Sequence, residues 1–304
     1  MNTHKTLIIL NPHAAGGRAG EIWKALEPLL WERLGELVIA ITQRQEEVAA
    51  HLDKAQASGL TRVIAIGGDG TNHALVNALA ELNARNPDGA KMIYGNLPVG
   101  TGRDWARGLG IPFRNIRAAA DWIAGAQPQP VDIGRVTYDG QTRYFLNIAS
   151  AGISGDVASR VNHVQQRRPW TFLKATLATM LRYAPEQVRV ALDGAGWYEG
   201  KAYLLAVANG TTFGRGMRIA PDARPNDGMF DVVLVEGMSR PRILMAFQRV
   251  YSGSHLTHPK VQHAHATDVR IETPALLRFE LDGESFTGRD LSFSLQPGLL
   301  QMLL

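Results

Sequence analysis

Cysteine is absent from the 304-residue chain, which excludes a disulfide framework, a thiolate metal site and a thiol nucleophile. Lysine is scarce. Most of the positive charge sits on arginine, whose planar fork of donors suits phosphates and carboxylates. No apolar run approaches the roughly 18 residues that cross a bilayer, and Leu7-Ile8-Ile9-Leu10 before Asn11-Pro12 is too short for a signal-peptide core. A soluble, cytoplasmic protein is therefore expected. No dense basic tract carries interleaved aromatics, so nucleic acid is not an expected partner. The 32 basic and 28 acidic residues leave a charge of +4. At about 1 kcal/mol per basic residue near an anionic surface, such a surplus favours passing membrane contact over firm anchoring.

What is present reads as globular: 45% of residues are hydrophobic and 20% charged, enough to build buried cores and too apolar for a disordered chain. Over roughly the first 125 residues, apolar runs at 6–10, 37–41, 63–66 and 92–97 alternate with amphipathic stretches at 22–34, 46–57 and 72–84. Strands alternating with helices predict a parallel sheet covered on both faces. The Pro/Gln-rich segment Ala126-Gln-Pro-Gln-Pro130 punctuates the chain. Beyond it, strands are predicted at 131–138, 142–148, 187–192, 201–208, 229–235, 269–271 and 276–281, with Asp139-Gly140 as a hairpin turn. Helices are predicted at 170–183 and 240–251. The expectation is an α/β domain over 1–128 followed by a mostly antiparallel β-rich domain over 129–304, with the cleft between them as the place to seek a site.

Gly67-Gly68-Asp69-Gly70-Thr71 follows an apolar strand and opens a helical pattern. Glycines let backbone approach phosphates, and a helix amino terminus offers unpaired N–H donors and a favourable dipole. An acid in such a loop would repel phosphate, so Asp69 suggests a nearby cation. No G-x-x-x-x-G-K-[ST] motif occurs, which excludes a Walker loop. Gly100-Thr101-Gly102 after the next strand, and Asn11-Pro12 with Gly16-Gly17 after the first, repeat the arrangement. Each is weak alone; together they line one edge of the sheet, where open α/β folds bind ligands.

In the second half Asn226-Asp227-Gly228 and Leu281-Asp282-Gly283-Glu284 carry acids beside glycine. On residue type alone both read as turns before they read as ligands or bases. His255, His258, His263 and His265 fall within eleven residues, where a solvated loop is favoured over a zinc site. The apolar helix at 170–181, preceded by Arg167-Arg168, could meet a lipid, but packing on the β domain is the simpler reading.

The ordered set NPHAAGG, GGDGT, LPVGTGRDWARGLGIP, VDIGRV, FLNIASAG, GMRIAPDARPNDGMFDV and LDGE resembles the diacylglycerol kinase catalytic-domain family, which includes bacterial lipid kinases and the sphingosine and ceramide kinases. The match runs from Asn11 to at least Glu284. GGDGT alone would also suit NAD kinases and phosphofructokinases; the GT-x-x-D-x-A-R-x-LGIP block and the terminal DGE separate this chain from them. The resemblance implies a two-domain fold with an ATP-binding cleft and a lipid hydroxyl at the membrane surface as acceptor. It implies nucleotide contacts at Asn11, Thr42, Gly68 to Thr71 and Thr101. It places a Mg²⁺ ligand at Asp227 with the backbone carbonyls of Arg224 and Met229 beside it, and Asp69, Asp132 and Asp227 as the acidic set around the ion. Glu284 falls at the position of the proton acceptor, with Asp282 as competitor. This is chemically coherent. An alcohol is a poor nucleophile, so a carboxylate must take its proton, while Mg²⁺ and N–H donors stabilise the phosphoryl charge.

Two positions depart from the family pattern. The Asn-Glu pair one residue past GGDGT is His73-Ala74, and the Asn before Asp104 is Arg103. A carboxylate lost and a cation gained beside the nucleotide leave two other classes open: a kinase of a soluble hydroxyl compound, and a nucleotide- or lipid-responsive module without turnover. The acceptor lipid and the oligomeric state are not encoded in these motifs.

Overall fold

The structure is a computed structural model that describes residues 5–14, 16–87, 89–99, 103–112, 114–162 and 171–304. The chain forms two compact units, one of residues 1–131 with 297–304, the other of residues 132–296.

In the first unit the order is β1 (Thr6–Leu10), α1 (Arg18–Leu34), β2 (Leu37–Ile41), α2 (Glu47–Ala57), β3 (Arg62–Gly67), α3 (Asp69–Arg85), β4 (Ile93–Pro98), α4 (Asp104–Gly108) and α5 (Ile116–Gly125). β1 lies between β2 and β3, and β3 pairs with β4, all parallel. β1 and β3 are buried almost throughout, which is why their sequences run apolar without alternation. The helices turn stripes inward: Trp23, Leu26 and Leu30 of α1 recur at helical spacing and pack with Ile8, Ile64 and Ile66 of the sheet. Asn115 caps α5 by accepting the Ala118 N–H at 3.0 Å.

The second unit begins within β5 (Pro128–Tyr138) and continues with β6 (Gln141–Phe145), β7 (Ile148–Gly152), α6 (Ile153–Asn162), α7 (Thr171–Met180), β8 (Glu186–Leu192), β9 (Ala195–Ala208), β10 (Phe230–Glu236), α8 (Arg240–Phe247) and α9 (Arg249–Ser252). It closes with β11 (Val261–Ala266), β12 (Asp268–Glu272), β13 (Leu277–Leu281), β14 (Glu284–Gly288) and the first part of β15 (Leu291–Leu303). Pairing is antiparallel, with the long β9 carrying β7, β8 and β10. Phe145 stacks on Phe230 with ring centres 5.7 Å apart and meets Phe293 edge-on at 6.1 Å, anchoring one core. A second core joins α6, α7 and α8 to the sheet through Val157, Met180, Tyr203 and Ile243.

An α/β unit with parallel strands and a β-rich antiparallel unit match the expected fold class. Four features differ from the sequence pattern. The last eight residues belong to the first unit, where Gln301 pairs in parallel with Ile93 and Leu304 exchanges backbone hydrogen bonds with Gln127. The pattern predicts all of 129–304 in one domain, because sequence adjacency gives no sign that a terminal strand returns. The run 142–148 is two strands, broken at Leu146-Asn147, whose N–H groups serve a side chain instead of a ladder. The helix expected at 240–251 breaks at Gln248 into α8 and α9. The histidine stretch is not a solvated loop: His263 and His265 stand on β11, and His255 is buried with Nε2 3.0 Å from the Ile219 carbonyl.

Candidate functional site

In the first unit the parallel register aligns the carboxyl ends of the strands. Leu10 is level with Ile66, and Gly67 with Pro98. Backbone bonds then lace the following residues together: Asn11 N–H to the Ile66 carbonyl (3.1 Å), Val99 N–H to Gly67 (3.0 Å) and Thr42 N–H to Leu10 (2.9 Å). Asn11, Thr42 and the Gly67–Thr71 turn, far apart in sequence, thus share one edge of the sheet. The turn is tight. A side chain at position 67 would put its Cβ 2.5 Å from Thr71 Oγ1, so the buried threonine folds back over the glycine. Gly68 precedes α3 without a side-chain cap, so the first N–H groups of this 17-residue helix have no capping side chain. Asp69 is exposed at the helix start and accepts the Arg103 N–H at 3.4 Å. Thr101 lies outside the described residues.

Beneath the turn, Asn72 Oδ1 accepts from the Tyr94 hydroxyl and from Asn96 Nδ2 (2.8 Å). His73 is buried inside α3, its ring facing Asn77. Beside the turn, a cavity of about 370 Å³ is lined by Arg18, Arg103 and Arg114 together with Ile22, Leu97 and Val99. Burial, reinforced by the guanidinium groups of Arg18, Arg107 and Arg114, lowers the Arg103 pKa, which Asp69 opposes. Arginine stays charged under any such shift, so the cavity wall is a concentration of positive charge, ready for an anion.

In the second unit a continuous chain of hydrogen bonds joins the candidate metal turn to the candidate base hairpin. Asp132 is buried; its Oδ2 accepts the Gly228 N–H (2.9 Å) and its N–H donates to the Pro225 carbonyl (2.7 Å). Asn209 Nδ2 donates to the carbonyls of Asp132 and Leu146, both at 2.8 Å, and its N–H donates to Asn147. The N–H groups of Leu146, Asn147 and Ile148 converge on the Asp282 carboxylate at 2.8, 2.9 and 3.1 Å. Asp282 and Gly283 have φ of 51° and 92°, forming the tight turn between β13 and β14 that glycine and aspartate tolerate. Glu280, buried, accepts from Ser150 Oγ (2.5 Å) and the Gly283 N–H (2.6 Å). Glu284 follows, partly exposed; among the described residues its carboxylate makes no hydrogen bond or ion pair.

The residues of the expected acidic set are thus distributed: Asp132 and Asp227 meet at one turn in the second unit, whereas Asp69 belongs to the first. Asp132 has one oxygen committed to holding the turn, while Asp227 is exposed and braces the Met229 N–H at 3.2 Å. Asp282, the expected competitor for the base, has both oxygens engaged by backbone. The expected ligands, the Asp227 carboxylate and the carbonyls of Arg224 and Met229, are all oxygens, a donor set whose chemistry fits a hard cation such as Mg²⁺. Asn209 Oδ1, buried and without a hydrogen-bond partner among the described residues, leaves a further acceptor in this network. Asn72 on α3, Asn209 just past β9, and Glu280 and Ser150 within strands are single polar residues outside any recurring motif, and single residues carry no spacing signal.

Both halves of the chain are similar to known proteins. Residues 5–136 match the model of the diacylglycerol kinase catalytic domain, and residues 147–304 that of the YegS C-terminal NAD kinase beta sandwich-like domain. A diacylglycerol kinase of Mycobacterium tuberculosis is 29% identical over 302 residues, covering 98% of this chain and 94% of that protein. A diacylglycerol kinase of Bacillus subtilis is 32% identical over 226 residues, 73% of this chain and 70% of the other. The crystal structure of a diacylglycerol kinase from Bacillus anthracis superposes with a TM-score of 0.74 at 25% identity, over 99% of this chain and 96% of that one. With both of its units matched, the chain belongs to the diacylglycerol kinase catalytic-domain family of lipid kinases.

Proposed function

We propose that the protein transfers the γ-phosphoryl group of ATP to the hydroxyl of a lipid presented at a membrane surface, with Mg²⁺ as cofactor. Asn11, Thr42, the Gly67–Thr71 turn and Thr101 bind the nucleotide. The uncapped start of α3 and the arginine-lined cavity supply positive potential for its phosphates. The acceptor oxygen attacks the γ-phosphorus as its proton passes to Glu284; the bond to the bridging oxygen breaks and ADP leaves. Asp227 and the carbonyls of Arg224 and Met229 hold the metal, with Asp69 and Asp132 ordering the groups around it. When bound, Mg²⁺ neutralises charge that spreads over the transferring group.

The observation that carries this reading is the division of labour at the 282–284 hairpin. Asp282 is consumed by three backbone N–H groups, while the next carboxylate, Glu284, is left with no partner among the described residues. A base must be free to take a proton, and the clamp aims the hairpin without using that base. Among the described residues no helix is long and apolar enough to cross a membrane.

The test is incubation with labelled ATP, Mg²⁺ and fractionated lipids in vesicles, beside water-soluble alcohols. Product in a lipid fraction is expected. Phosphorylation of soluble acceptors alone would replace the lipid acceptor. Binding of ATP without any product would mark a non-catalytic module, to which Ala74 and Arg103 point. Glu284→Gln should slow transfer by about 10²- to 10⁴-fold, the usual worth of a general base, with the melting temperature and ATP affinity unchanged.

A further inference from the structure

Away from the motifs above, β10 and β11 bring two imidazoles and a carboxylate to one point. β11 runs antiparallel to β10 with His265 opposite Asp231 and His263 opposite Val233. Residues two apart on a strand share a face, and residues paired across strands do too. His263 Nε2 lies 2.8 Å and His265 Nε2 3.5 Å from the same oxygen, Asp231 Oδ1. The three ligand atoms all fall within 4.8 Å of one another. We propose that Asp231, His263 and His265 form a binding site for a divalent transition metal of the zinc, cobalt or nickel class.

Three observations support it. Ligands about 2.0–2.2 Å from a tetrahedral zinc stand about 3.3 Å from each other, and the two observed separations bracket that value. The Asp231 side chain is 4% exposed, and its ion-pair partners among the described residues are these two histidines alone. A buried carboxylate needs a compensating positive charge, which either an imidazolium or a metal held by neutral imidazoles provides. His265, 54% exposed, and His263, 26% exposed, leave the point open to solvent, so a fourth position can be filled by water. Imidazole nitrogen selects such metals over Mg²⁺, which prefers oxygen. The site is therefore chemically distinct from the oxygen-only donors at Asp227. It shares no residue with them, so either assignment can fail alone.

The experiment titrates Co²⁺ into the untagged full-length chain with millimolar Mg²⁺ present. One Co²⁺ per chain with visible absorption of four-coordinate cobalt is expected. His263→Ala and His265→Ala should each lose that signal; His258→Ala, whose Nδ1 accepts the Lys260 N–H, should keep it. In the wild-type chain, where folding is not at issue, Zn²⁺ should shift the ring nitrogen resonances of His263 and His265 and leave those of His258, which is half-buried, in place. No binding at micromolar metal, unmoved ring resonances, or binding undiminished in the His263→Ala/His265→Ala double variant would overturn the assignment.

Discussion

Removing the Asp282 carboxylate separates scaffolding from chemistry in this protein. Its oxygens accept three backbone N–H groups at 2.8, 2.9 and 3.1 Å, at the point where β6 ends and β7 begins. A hydrogen bond to a charged group contributes about 1.5–3 kcal/mol, and donors left without partners add a desolvation cost. The three bonds share one partly exposed carboxylate and are not additive, so Asp282→Ala should destabilise the second unit by about 4 kcal/mol. For a unit of this size that lowers the melting temperature by roughly 10 °C. Asp282→Asn keeps an oxygen for Asn147 and Ile148, loses the acceptor for Leu146, and tolerates the positive φ. It should cost only about 1–2 kcal/mol. Calorimetry and phosphoryl transfer are measured on both variants beside Glu284→Gln. The expected result is a crossed pattern, in which the Asp282 variants melt early while Asp282→Asn retains turnover within about tenfold, far short of the loss from removing a base. An Asp282→Ala chain that melts with the wild type would refute the clamp. An Asp282→Asn chain that is stable but inactive would make Asp282 the base.

Asp227→Asn and Asp69→Asn should each raise the Mg²⁺ concentration needed for half-maximal turnover, read by metal titration at fixed ATP; unchanged titrations would remove both from the metal set. Arg103→Asn, chosen because asparagine accepts the φ of 57°, should weaken ATP by about tenfold, one charge-assisted bond, without altering the KM for lipid. Burial holds His255 below its ordinary pKa of 6.5, so below that pH the unfolded chain binds more protons than the folded one. Stability contributed by neutral His255 is then present above pH 6.5 and lost as pH falls toward the depressed folded value, and His255→Gln should flatten this limb of the melting profile in chelator-treated protein.

How much was readable beforehand depends on the kind of pattern involved. Continuous apolar runs marked β1 and β3 because a strand covered on both faces has no polar side to show. The run of glycines marked the turn, and at position 67 the reason is steric: only a residue without Cβ lets Thr71 fold over it. β14 and β15 escaped notice. The first is short and half exposed, and Pro297-Gly298 interrupts the second. The return of the last eight residues to the first unit, and the splitting of 142–148 into two strands, arise from partners more than a hundred residues away in sequence.

Local order, in this chain, is written into residue spacing: the alternation of strands and helices, the glycine turn, the Asp-Gly hairpins and the acids beside them. Spacing names the acids but cannot rank them, since the ranking is a matter of which partners the folded chain brings to each oxygen. Asp282 and Glu284 are two residues apart and alike in chemistry; the convergence of the Leu146, Asn147 and Ile148 N–H groups on Asp282 separates the anchor from a carboxylate without a partner among the described residues. The same holds for Asp231, His263 and His265, thirty-odd residues apart until antiparallel pairing of β10 and β11 sets them on one face.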